Sequence, residues 1–180
     1  MVLLGCTPKG RFTEQHDVFF GIGTSLHSLK KDISAFWPEV GDDIHIDAWR
    51  EVNYVDGFRI SVVHKSEPGT GAENIKLFFI NLGGYRHNEF EEFHYKMIVA
   101  APDKGSAIRE SKKTVFYKHV GIKGAESHVD DKYGIDVDDL HEIQDILPAY
   151  FRTKYRIVAA FEERPETDTL NLGYLMFSKI

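Results

Sequence analysis

Apolar residues fall in short runs divided by polar stretches, and the spacing inside each run predicts an element. "MVLL" (1–4) and "KLFFIN" (76–81) read as strands. After each comes a polar loop, then a run led by histidine: "HDVFFGIG" (16–23) and "HYKMIVAA" (94–101), rich in the β-branched and aromatic residues that strands favour. A helix is expected next. In the first case Thr24 or Ser25 can cap it, Leu26, Leu29, Ile33, Phe36 and Trp37 recur at helical spacing, and Pro38 and Gly41 stop it. In the second, Asp103 is the cap after Pro102, and Ala107, Ile108, Ser111 and Val115 form a narrower face. Strands "DIHIDAW" (43–49) and "FRISVV" (58–63) follow the first helix, with weaker signals over 126–143 after the second. "PAYFRTK" (148–154) reads as a helical turn, and "YRIVAAF" and "LNLGYLMFSKI" as a hairpin across "EERPETDT".

The same plan occurs twice because the sequence repeats. "LGCTPKGRFTEQH" (4–16) lies over "LGGYRHNEFEEFH" (82–94) without a gap, matching Leu4 with Leu82, Gly5 with Gly83, Glu14 with Glu92 and His16 with His94. "HID" (45–47) then lies over "HVD" (128–130), and "VDGF" (55–58) over "VDDL" (137–140). The expected organisation is a first unit over 1–64, a Pro/Gly-rich linker over 65–76, a second unit over 77–146 and a C-terminal extension over 147–180, packed as one compact domain. The class is α+β: two duplicated ββαββ-like units of mostly antiparallel sheet with helices on one face, plus the C-terminal hairpin.

"EQHDVFFGIGTSL", "FW", "HIDAWREVNYVDGFRI" and "NLGGY...EFEEFH", in that order, resemble the bacterial family called domain of unknown function 1543, in two tandem copies. The resemblance runs to about residue 146. It implies domain boundaries and no activity. The family's first strand usually ends Leu-Gly-Gly; the second unit keeps Leu82, Gly83 and Gly84, whereas the first has Leu4, Gly5 and Cys6.

Composition narrows the classes. Of 180 residues, 42% are apolar and 28% charged, the balance of a soluble globular protein. Net charge is -6 with no long basic run, which disfavours nucleic acid. A single cysteine makes neither an internal disulfide nor a Cys-based zinc site. No apolar stretch is long enough for a membrane span and no signal peptide is evident, so a cytoplasmic location is expected.

Candidate chemistry lies in two recurring triplets. Residues i and i+2 of a strand share a face, so Glu14 pairs with His16, His45 with Asp47, Glu92 with His94, and His128 with Asp130. If the two triplets of a unit lie on neighbouring strands, imidazoles and carboxylates converge. Such a set suits Zn, Mn, Fe or Ni and could activate water; without metal, a carboxylate could orient a histidine as a general base. The triplets also have a bland explanation, since a histidine at a strand entrance can simply bond a turn carbonyl. On sequence alone a small-molecule or protein binding module ranks first, with a hydrolase-type enzyme second, no cofactor identified and a divalent metal at the four-residue clusters as the alternative. Exposed strand edges would invite a homodimer without requiring one. "GIGTS" (21–25) and "DDKYGIDVDD" (130–139) read as packing turn and solvated loop rather than phosphate and calcium sites; Cys6 reads as an inert thiol, and Trp37 and Trp49 as core.

Overall fold

A computed structural model describes residues 1–68, 71, 74–85, 88–113, 135–163 and 166–180. The fold is α+β, and every strand pairing is antiparallel. One sheet has the order β10-β3-β1-β2, from β1 (Val2–Cys6), β2 (Gln15–Phe19), β3 (His45–Trp49) and β10 (Asn171–Met176). A second has the order β4-β5-β9, from β4 (Tyr54–Val55), β5 (Phe58–His64) and β9 (Tyr155–Phe161). The third has the order β7-β6-β8, from β6 (Lys76–Tyr85), β7 (Glu92–Ala101) and β8 (Ile135–Glu142).

Alternation along β1 decides which face is which. Val2, Leu4 and Cys6 are buried with Leu29 and Ile33, which belong to the turn His27–Leu29 and to helix α1 (Lys30–Phe36) behind it. Ser25 starts this turn: the Ser28 amide donates to Ser25 Oγ at 3.2 Å, and the Ser25 amide to Ser28 Oγ at 3.3 Å. On the third sheet, Phe78, Ile80 and Leu82 face Ala107 of helix α2 (Lys104–Ser111), whose cap is Asp103, accepting the Ser106 amide at 2.8 Å. The opposite faces of these sheets meet in a further core: Leu3 and Val18 from one, Leu77, Phe79 and Ile98 from the other, with Val55 and Ile157 of the second sheet. Asp56, at positive φ in the β4–β5 turn, fastens that sheet to β7 by accepting the Ala100 amide at 2.9 Å. Short helices α3 (Ile143–Ile146) and α4 (Ala149–Lys154) lead into the tail. The two C-terminal strands go to different sheets, β9 onto β5 and β10 onto β3.

The order β1-β2-α1-β3 recurs as β6-β7-α2-β8, with the first strand of each set in the middle. The register also recurs. Gly5 pairs with His16 and His45; Gly83 pairs with His94 and Asp136. Leu3 pairs with Ala48 and Leu4 with Ile46, which leaves Asp47 as the extra residue of a β-bulge. Asn81 pairs with Asp139 and Leu82 with Val137, which leaves Asp138 as the extra residue at the matching place. "VDDL" (137–140) therefore corresponds to "IDAW" (46–49), not to "VDGF" (55–58), which forms the β4–β5 turn.

Candidate functional site

Three adjacent strands and one bulge bring four side chains of the first unit together. Glu14 lies just ahead of β2 and His16 on it, and His45 and Asp47 lie on β3, with β1 between them. Four N···O approaches close into a ring. His16 Nε2 lies 3.4 Å from Glu14 Oε2 and 3.2 Å from Asp47 Oδ2. His45 Nε2 lies 2.9 Å from Glu14 Oε1 and 3.3 Å from Asp47 Oδ1. A bulge re-aims the residue it inserts, and here it brings Asp47 to the face that His45 already occupies. Two strands would ordinarily be separated at this point by the side chain of the strand between them. Gly5 removes that obstacle: a Cβ there would overlap His45 Nε2 and stand 2.5 Å from Asp47 Oδ2. Cys6, the departure from Leu-Gly-Gly, points to the other face and is fully buried against Leu4 and Ile44. The first glycine of the pair, not the second, is the one the cluster needs.

Asp47 Oδ2 is buried and has no hydrogen-bond partner. His16 Nε2 is 3.2 Å away, but off the line of a hydrogen bond. An ionised oxygen in that condition is costly unless a cation answers it. His45 is also largely buried, and the Tyr174 ring packs over it with centroids 4.6 Å apart and planes tilted by 36°. The ring nitrogens of both histidines face carboxylates. A tetrahedral ion with arms of about 2.0–2.1 Å requires ligand atoms about 3.3–3.4 Å apart. Three of the four approaches fall within about 0.2 Å of that spacing, with each carboxylate turning one oxygen to each histidine.

The second unit presents a sparser version. Glu92, His94 and Asp138 place ligand atoms within 4.8 Å of one another, all three residues exposed. His94 Nε2 lies 3.2 Å from Asp138 Oδ2 and 3.8 Å from Glu92 Oε2. Gly83 clears the space, since a Cβ there would overlap the Asp138 carboxylate. His128 and Asp130, expected from the "HVD" triplet, lie outside the described residues. The register instead gives Asp136 the backbone position of His45 and Asp138 that of Asp47. The sequence carries this signal, since "IHIDAW" lies over "IDVDDL" as well as "HID" lies over "HVD". Asp138 and Tyr174 are the two residues that sequence reasoning missed.

Residues 11–62 match the family described as Domain of Unknown Function (DUF1543). The DUF1543 match takes in Glu14, His16, His45 and Asp47 together, and ends within β5. No curated protein matches the chain. Among solved structures, a crystal structure of a protein Il1583 from Idiomarina loihiensis is similar over 96% of this chain and 92% of that one, with a TM-score of 0.60 and 22% identity. That likeness supports the fold alone. No helix among the described residues is long and apolar enough to cross a membrane.

Proposed function

We propose that this chain binds a divalent metal ion through Glu14, His16, His45 and Asp47 and uses it for hydrolysis. The carrying observation is the buried, unpartnered Asp47 Oδ2 set in a closed ring of two imidazoles and two carboxylates. Imidazole nitrogens are the carboxylates' neighbours in this ring, and Asp47 Oδ2 is still left without a hydrogen bond. Two imidazoles and two carboxylates suit Zn first, with Mn, Fe and Ni as alternatives. The ion stabilises the fold by neutralising Asp47 at the centre of a sheet.

The four residues divide by position. His16, His45 and Asp47 sit on paired strands, and β-strands hold ligands rigidly. Glu14 precedes β2 and its side chain is the most exposed of the four. It is the group that can leave the ion and admit water. His16, His45 and Asp47 would hold the ion, which would supply Lewis-acid activation of water. Glu14 would then serve as general base, taking a proton from the attacking water and returning it to the leaving group of an acyl or phosphoryl substrate. The second unit is a copy of this arrangement with three residues in place of four and an aspartate in the register of His45, and we assign it weaker binding. The small-molecule binding role that the sequence favours becomes the first stage of this reaction.

The test is metal content of untagged protein, with Co(II) and Zn(II) titration, for the parent and a His16→Ala/His45→Ala double variant. About one tightly held ion per chain is expected in the parent, lost in a variant that still unfolds cooperatively. A metal-free parent that takes up no Co(II), with a variant that melts far lower, would make the histidines structural.

A further inference from the structure

We infer that the substrate of this site is a small amphiphile whose polar head reaches the four-residue cluster and whose hydrocarbon or aryl body lies along the adjoining face of the first sheet. The inference rests on the metal reading above and adds the class of molecule. A cavity of about 420 Å³ lies on the face of the sheet that the cluster occupies, lined by the next residues along the same strands and not by the four cluster residues themselves. Leu3, Val18 and Ala48 form its floor. Leu3 is two residues from Gly5, Val18 two from His16, and Ala48 follows Asp47, so floor and cluster are continuous along three paired strands.

The β10 wall joins them as well. Leu172 lines the cavity and Tyr174 covers His45, and between them Gly173 has φ +123° where β10 shifts register against β3. Leu172 is 77% exposed and Tyr174 67%. Two large apolar side chains at that exposure, in line with a candidate metal ligand, have a use if an apolar body lies against them. The cavity ends at Met1 and Arg50. Arg50 is three residues past Asp47, or about 10 Å along the strand, which suits a body of roughly eight to ten atoms. Among the described residues, the charged side chains lining the cavity are those of Arg50 and Lys96. A carboxylate head can join the coordination of an ion held by the cluster, and an ammonium head, which has no lone pair, cannot.

The test uses the full chain loaded with Co(II) and a series of straight-chain carboxylates from butanoate to decanoate, read by the visible Co(II) spectrum and by calorimetry. Affinity should rise about fourfold per methylene, the value of burying one CH₂. In Leu172→Asp the rise should flatten while Co(II) affinity and the ligand-free spectrum stay as in the parent. The matching alkylammonium series should bind at least tenfold more weakly. Co(II) binding with no dependence on chain length would overturn the amphiphile and leave the metal site standing. A rise that persists in Leu172→Asp, or ammonium binding as tight as carboxylate, would also overturn it. Failure to take up Co(II) at all would remove both proposals.

Discussion

Gly5→Ala isolates the cluster from the rest of the protein, because it adds one methyl group without removing any ligand. That methyl carbon would stand 2.5 Å from Asp47 Oδ2 and 3.0 Å from His45 Cε1, whereas unstrained contacts begin at about 3.5 Å. The overlap is therefore about 0.5–1 Å. Asp47 cannot retreat along its strand, since the bulge fixes it between Ile46 and Ala48. His45 has the Tyr174 ring beside it. A productive ligand set tolerates about 0.5 Å of displacement, so at least one ligand is lost. Metal affinity should fall about 100-fold, the upper end of what loss of one supporting group costs.

Stability changes far less. Overpacking costs about 1–3 kcal/mol, and alanine recovers about 0.5–1 kcal/mol by restricting the unfolded chain. The net loss is about 0–2.5 kcal/mol, which in a chain of this size lowers Tm by at most about 10 °C. The assay pairs Co(II) titration with scanning calorimetry of metal-free protein. Gly83→Ala serves as control: it crowds Asp138 in the second unit and should leave the tight site untouched. A Gly5→Ala protein that binds Co(II) within threefold of the parent would refute the claim that Gly5 makes room for the ligands.

Glu14→Gln should keep metal within about tenfold yet lose hydrolysis by about 10²–10⁴-fold, the usual worth of a general base; equal loss of metal and activity would make Glu14 only a ligand. Asp168, whose carboxylate is nearly fully buried, accepts the amides of Asn53 at 3.0 Å and Tyr54 at 3.2 Å, so Asp168→Ala should cost about 3 kcal/mol in urea unfolding, and a loss below about 0.5 kcal/mol would sink that account. Ile33→Ala, at a fully buried position between α1 and β1, should cost about 2–5 kcal/mol with Co(II) affinity unchanged, since it lies on the opposite face of the sheet. The amide and hydroxyl of Ser106 hold the Asp103 carboxyl below its usual value, so the cap's contribution is full above the ordinary aspartate range and fades as pH falls through the lowered value. Amide exchange in α2 should accelerate in that acid window and not between neutral pH and pH 5.

The strands were readable because their apolar residues alternate or run together, although β2 ends at Phe19, four residues short of the apolar run to Gly23, and β10 ends at Met176, where Phe177–Lys179 wind into a turn. The Glu14/His16 and His45/Asp47 pairs were readable because period two puts both members on one face. Their meeting was not readable, since it depends on which strand lies between them and on what that strand carries. Gly5 looked like half of a turn motif; its role follows only from pairing with His16 and His45 at once. Asp138 was hidden for a related reason. A bulge adds one residue without any composition cue, and "IDVDDL" preserves the spacing of "HIDAW" while exchanging histidine for aspartate. Tyr174 comes from a strand more than a hundred residues away from β3, beyond the range of any local pattern.

The place of β10 also sets an order of events during synthesis. β1, β2 and β3, with all four candidate ligands, have emerged from the ribosome once residue 49 and a short tether are clear. The strand that covers the far edge of β3 and supplies Tyr174 comes only with residues 171–176. Until then β3 is a bare edge, an invitation to pair with another nascent chain. An ion captured early by the three-stranded core would hold that edge in register while the remaining chain is made, so metal supply during translation should raise the yield of soluble protein more than metal added afterwards.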